Sequence, residues 1–260
     1  MNRRSFISTG GAGLLASSAF NGRASAGEGA ARPFFEFLTF RLQIGSQTQR
    51  MSSWAEKRML PLFSKHGFGT VGVFNESNGP NIPSLHVLLS YPSLAECQKL
   101  WESVMRDPEW GKGIEELDSG PTPSFYRADG WLLRATDFCP AFKAVSGKPG
   151  RVFELRIYES PTERQLRALH ERFAGPEIPI FHRSGIHPIL YANTVIGPDM
   201  PNLVYLTPYD SLAQLEQAWR AFRSDPEWPK ARDESIQRSG EIVRNITKLH
   251  LSPTSFSMIR

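Results

Sequence analysis

The stretch Glu154-Leu155-Arg156-Ile157-Tyr158 places a carboxylate, a guanidinium and a phenol at every second position of an extended run. Side chains of a strand alternate between its two faces, so these three share one face while Phe153, Leu155 and Ile157 share the other. A carboxylate next to a guanidinium in an enclosed space is the pairing from which a general base is tuned, and an arginine or tyrosine can steady developing negative charge. Packed helices need the apolar face, so Glu154, Arg156 and Tyr158 are expected to point to the opposite side of the sheet. Glu36 holds the same place in an earlier strand, FEFLTF, and His86 lies between apolar neighbours on another; both join the cavity-facing candidates. The competing reading is an ion-pair network satisfied between two sheets, which the recurrence of the glutamate in both strands favours.

No residue is assigned as catalytic, because the chain has no phosphate-binding loop, no G-x-S-x-G elbow and no H-E-x-x-H helix. His182 and His187 flank a glycine turn, but no Cys or Asp completes a ligand set, so no metal is expected. His66 falls at a helix end, and His170 and His250 show no evident partners. Cys97 lies on a helix stripe and Cys139 in a linker, too few thiols for a disulfide framework.

The elements that hold these residues occur twice. A constant shift of 118 positions lays RDPEW (106–110) on SDPEW (224–228), LPLFSKHGF on IPIFHRSGI, and YPSLAE on YDSLAQ. A shift held without insertion over about 75 residues, through strands, helices and loops alike, marks duplication of a whole domain. Each copy reads strand, helix, strand, strand, helix, strand. The Ser-x-x-Glu/Gln boxes at Ser93, Ser160 and Ser211 read as helix starts. In the repeated phrase, Asp107 and Asp225 cap a new short helix after the proline break, and Trp110 and Trp228 anchor the corner.

The order of elements is ferredoxin-like. With FELRIY opening a unit, a glycine-led second strand and a helix ending near DPEW, the chain resembles the NIPSNAP family within the dimeric α/β-barrel group. The resemblance implies an α+β fold: two β-α-β-β-α-β units, residues 34–136 and 151–252, joined by a linker at 137–150 and packed sheet to sheet as an intramolecular dimeric α/β barrel. It brings no common activity with it. Relatives in the wider group include cofactor-free monooxygenases and haem-handling proteins.

Composition narrows the field further. Of 260 residues, 40% are apolar, enough for a sizeable core, and the formal charge is +4. Arg3, Arg4 and Arg23 account for three of those charges in an acid-free leader, leaving +1 for the remainder, which gives a nucleic-acid or membrane surface no support. Residues 1–26 carry paired arginines, a short apolar stretch and an Ala24-Ser25-Ala26 cleavage site, and resemble a twin-arginine signal peptide. A periplasmic or secreted protein with no membrane span after signal removal is therefore expected. The leading functional reading is a binding or assembly module of the cell envelope, without cofactor, taking a small apolar molecule or a protein partner; association of whole chains stays open. The alternative is a small-molecule enzyme of the cofactor-free oxygenase or isomerase type using the inter-sheet cavity, with Glu154 as base. Haem binding is a third, minor reading.

Overall fold

The computed structural model describes residues 32–120, 122–147 and 150–260. The expected signal peptide, 1–26, lies outside them. Strand β1 (Phe34–Arg41) leads into a helix built from α1 (Ser46–Trp54), a π-helical turn (Ala55–Met59) and α2 (Leu60–Lys65). Then come β2 (Gly72–Asn78), β3 (Ser84–Tyr91), α3 (Leu94–Met105), α4 (Pro108–Asp118) and β4 (Arg127–Ala135). The second unit repeats the series: β5 (Val152–Glu159), α5 (Glu163–Arg172), a π-helical turn (Phe173–Glu177), α6 (Ile178–Arg183), β6 (Leu190–Ile196), β7 (Asn202–Tyr209), α7 (Leu212–Ser224), α8 (Glu227–Ser239) and β8 (Asn245–Pro253).

The two four-stranded sheets do not merely face each other; their edges join. Every pairing is antiparallel, and the order β1-β3-β2-β8-β5-β7-β6-β4 closes on itself. The seams between units are β2 with β8 and β4 with β6, related by the repeat: Asn78 meets His250 at one, Leu132 meets Ile196 at the other. Closure removes all edges, so no backbone donor or acceptor row is left for stray pairing.

Three cores result. The barrel interior is filled by Phe35, Phe37, Phe74, Leu88, Leu133, Phe153, Leu155, Ile157, Leu190, Val204, Leu206 and Leu251, among others. Outside the barrel, each unit has its own core between sheet and helices, one around Met51, Phe63 and Trp101, the other around Phe173, Phe181 and Trp219. Among the described residues no helix is long and apolar enough to cross a membrane.

Helix starts follow the repeat with one exception. Ser93 accepts from Glu96 N–H at 3.1 Å and Ser211 from Gln214 N–H at 3.2 Å. Ser160, expected to begin a helix, instead donates to the Ile242 carbonyl at 2.8 Å, and Thr162 takes the N-cap position of α5. A buried carbonyl in reach outcompeted the cap, since an unpaired acceptor costs more than an unmade cap.

The repeated phrase builds a corner. Asp107 accepts from Glu109 N–H at 2.9 Å with Pro108 in the first turn, and Asp225 does the same for Glu227 N–H. Trp110 is buried against Trp54, Phe63 and Trp101, whereas Trp228 is half-exposed on Phe222, with the Arg172 guanidinium 5.1 Å from its ring.

The units also exchange their exit segments. After β4, Thr136 N–H donates to the Tyr191 carbonyl of the second unit, and Phe138 packs on Tyr191 and Phe173; after β8, Thr254 N–H donates to Val73 of the first, and Phe256 packs into the first unit's core. The C-terminal segment then closes one end of the barrel. Ile259 is wholly buried in the interior, and a Cβ on Gly72 would lie 3.0 Å from its Cδ1. Ile259 also bridges Val145 of the inter-unit segment.

The two tryptophans are a controlled pair. Trp110→Ala is expected to destabilise the fold by about 3–5 kcal/mol. Trp228→Ala should cost clearly less, and thermal melts of the two variants measure the difference.

Candidate functional site

The expectation that Glu36, Glu154, Arg156 and Tyr158 point into the space between the sheets is corrected by the structure. The interior takes Phe153, Leu155 and Ile157, and the polar trio lies beneath the helices. The reason is that β5 is buried on both faces along its whole length, so alternation does not separate a wet face from a dry one. A closed apolar barrel offers few donors to a carboxylate; a tryptophan on the covering helix supplies one. Trp219 Nε1 donates to Glu154 Oε2 at 2.6 Å, and in the first unit Trp101 Nε1 donates to Glu36 Oε2 at 2.7 Å. The inter-sheet cavity is thus a packed core.

Of the candidates, His86 is on the interior side, stacked on Phe37 at 5.1 Å. Its Nδ1 is 3.0 Å from Thr39 Oγ1 and its Nε2 3.0 Å from Glu76 Oε2, which also accepts from Ser84 Oγ at 2.9 Å. The second unit has Ile157, Val204, Thr194 and Asn202 where the first has Thr39, His86, Glu76 and Ser84. The cluster is sealed, with His86 and Glu76 both buried. Burial works to raise the Glu76 carboxyl, but hydrogen bonds from His86, Asn81 N–H and Ser84 outweigh it and hold the group below the ordinary glutamate range.

The glutamates diverge in their surroundings. Glu36 accepts from both Tyr91 and Trp101 in a closed apolar pocket, where burial raises its carboxyl against those two bonds. Glu154 opens onto a cleft of about 510 Å³ between the barrel wall and α7. Its floor is Glu154, Arg156 and Trp219; Leu215, Glu216, Arg220 and Arg223 come from α7, Lys248 and His250 from β8, and Asn78 from the first unit across the seam.

Arg156 is the unusual member. It is 7% exposed, stacks 3.8 Å over the Trp219 ring and 5.5 Å from Tyr158, and its buried Nε has no hydrogen-bond partner among the described residues. Its nearest carboxylate oxygen, on Glu154, is 3.5 Å away. Lys248 stands directly opposite it on β8, a like-charge pairing that disfavours the sheet unless a counter-charge sits between. Arg220, Arg223 and Lys248 form no ion pair with any described residue. Thr207, the cross-strand partner of Glu154, and Tyr209 bury hydroxyls with no acceptor but each other among the described residues. Donors therefore outnumber acceptors around this cleft.

The repeat supplies an internal control. Where the second unit has Arg156, Arg220, Arg223, Lys248 and His250, the first has Leu38, Glu102, Met105, Gly130 and Leu132. Glutamate and tryptophan recur in both, as a structural pair would; the cations belong to one copy. His250, which shows no partner in the sequence, is brought to the cleft with Nε2 3.9 Å from Glu154 and Nδ1 3.5 Å from Asn78 Nδ2. The signal that finds these residues is the difference between the copies.

Among the described residues no group of three His, Cys, Asp or Glu could hold a metal, and Cys97 and Cys139 are free thiols. His182 and His187 stack on each other at 5.2 Å.

A sequence profile of the NIPSNAP family matches residues 35–140 and again 153–258. No functionally curated protein matches in sequence. In architecture the chain is similar to a candidate monooxygenase from Lactobacillus acidophilus NCFM, with 10% identity, 85% of this chain and 94% of that one covered, and a TM-score of 0.55. It is also similar to an anthrone oxidase-like protein, with 12% identity, 86% and 92% covered and a TM-score of 0.52. An uncharacterised NIPSNAP-like protein from Burkholderia xenovorans is 24% identical over 42% of this chain and 90% of its own, with a TM-score of 0.38.

Glu76 gives a pH signature. Its folded-state pKa lies below the ordinary 4.5, so its contribution to stability is present above that value and lost as pH falls through the folded one. Urea denaturation from about pH 6 to pH 3 should show wild type losing more stability than Glu76→Gln; equal losses would exclude this role.

Proposed function

Because the chain belongs to the NIPSNAP family through both of its halves, we propose that it is a binding protein in which the first unit is scaffold and the second carries a cleft for a small organic anion. One observation carries this: a nearly buried guanidinium whose Nε has no hydrogen-bond acceptor and whose nearest carboxylate oxygen is 3.5 Å away, stacked on tryptophan, in a cleft whose exposed cations Arg220, Arg223 and Lys248 pair with no described residue. A buried charge without full pairing costs several kcal/mol unless a ligand completes it. The cleft is cationic, so an anion replaces the apolar molecule anticipated from the sequence. Asn78 reaches it from the first unit, so the site needs both halves.

The enzymatic reading with Glu154 as base has less behind it. The carboxylate is committed to Trp219 at 2.6 Å, and the names of the structurally similar monooxygenase and oxidase-like proteins speak at identities where only the fold is shared.

Titration calorimetry with carboxylates, sulfonates and phosphate monoesters tests the proposal. Arg156→Leu, which installs the first unit's own residue, should weaken the best anion by roughly tenfold to a hundredfold, the loss of one charge-assisted hydrogen bond of about 1.5–3 kcal/mol. Unchanged affinity, or no anion bound below millimolar concentration, would sink it.

We propose further that the protein works outside the cytoplasm after export by the twin-arginine route, a reading supported by Arg3, Arg4 and the Ala24-Ser25-Ala26 site. Replacing both arginines by lysine should leave uncleaved protein in the cytoplasm. A wild-type mature chain that does not begin at Gly27 would contradict the cleavage assignment.

A further inference from the structure

The two ends of the second unit's cleft ask for different chemistry. At the inner end, Arg156 offers five N–H donors, of which the buried Nε–H has no hydrogen-bond partner among the described residues, while Glu154 Oε1 stands 3.5 Å from Nη1. The charge of the guanidinium is thus opposed in part, and what it still lacks is hydrogen-bond acceptors. A second carboxylate placed there would meet Glu154 at close range, whereas an uncharged oxygen would accept the idle N–H groups without that repulsion. The neighbouring Thr207 and Tyr209 hydroxyls lie buried behind the floor, with no acceptor but each other among the described residues. Burial keeps the Tyr209 phenol protonated, far above its ordinary range, so it remains a donor.

At the mouth the balance is reversed. Arg220 and Arg223, three residues apart on α7, and Lys248 on β8 are exposed and form no ion pair with any described residue, and Glu216 is the one carboxylate beside them among the described residues that line the cleft mouth. That end has charge to neutralise. Between the two, Leu215 and Trp219 provide an apolar wall.

We infer that the cleft takes an oxo acid, with the carbonyl oxygen held by Arg156 at the inner end and the acid group held at the mouth by Arg220, Arg223 and Lys248. This rests on the anion-binding reading above and specifies it. Neither a simple carboxylate nor an uncharged ketone matches both ends. The first unit cannot take such a ligand, having Leu38 at the inner end and Glu102, Met105 and Gly130 at the mouth.

Three probes separate the ends: 5-oxo-5-phenylpentanoate, 5-phenylpentanoate without the carbonyl, and 1-phenylpentan-1-one without the acid. Calorimetry on the mature chain should show the oxo acid binding at least about tenfold tighter than either analogue, because a site built to donate to an oxygen rejects the ligand lacking it. In Arg156→Leu the two acids should become equal. In Arg220→Ala/Arg223→Ala both acids should weaken together while their ratio holds. Arg156→Gln, which keeps a polar side chain but removes the fork of N–H donors, should narrow the ratio if Arg156→Leu fails to fold. Equal binding of the two acids by wild type overturns the carbonyl assignment and leaves anion binding standing. Failure of both acids together with every other anion overturns the reading beneath it.

Discussion

Hydrogen bonding across the seams β2–β8 and β4–β6 turns two open sheets into one closed wall, and the placement of every polar group follows from that closure. The enclosed space is dry and filled with apolar side chains, so a charge on the inner face has no solvent and few donors. Glu36 on β1 and Glu154 on β5 consequently lie on the outer face, where tryptophans on the overlying helices supply an N–H. His86 and Glu76 are the exception, and they stay inside by pairing with each other and with Thr39 and Ser84.

Duplication lets the protein keep one solution and alter the other. The glutamate–tryptophan bond, the aspartate caps at the proline break and the π-helical turns recur at the same shift. Against that constant frame the second unit becomes polar beneath its helices: Tyr158 and Tyr205 replace Phe40 and Val87, and a buried pair, Arg172 with Glu177 at 2.7 Å, replaces Trp54 and Met59. Buried polar networks of this kind stabilise little for their cost. Their concentration on one side of the molecule, next to a cationic cleft, sets that side apart from its tightly packed counterpart.

The architecture was legible in the sequence because a whole-unit repeat fixes the element order twice over. Ser93 and Ser211 read correctly as helix starts, since nothing else competes for their hydroxyls; Ser160 did not, because Ile242 does. Strand alternation misled about Glu154, Arg156 and Tyr158, as it assumes that one face meets water, while β5 has none on either side. The tryptophan partners could have been anticipated: Glu36 and Trp101, like Glu154 and Trp219, are 65 residues apart in both units. Looking for matches between copies reveals the frame. Arg156 over Leu38 and Lys248 over Gly130 emerge only when the mismatches are read, and the role of Asn78 needs the seam itself.

The traded exit segments bear on how such a chain arises. A lone unit would leave its final segment without a docking place and its sheet without closure, so a one-unit forebear had to pair with its twin, at a cost set by concentration. Joining the genes makes that meeting intramolecular and independent of dilution. It also ends the rule that every substitution in a symmetric dimer appears twice, so one half became free to change while the other stayed put.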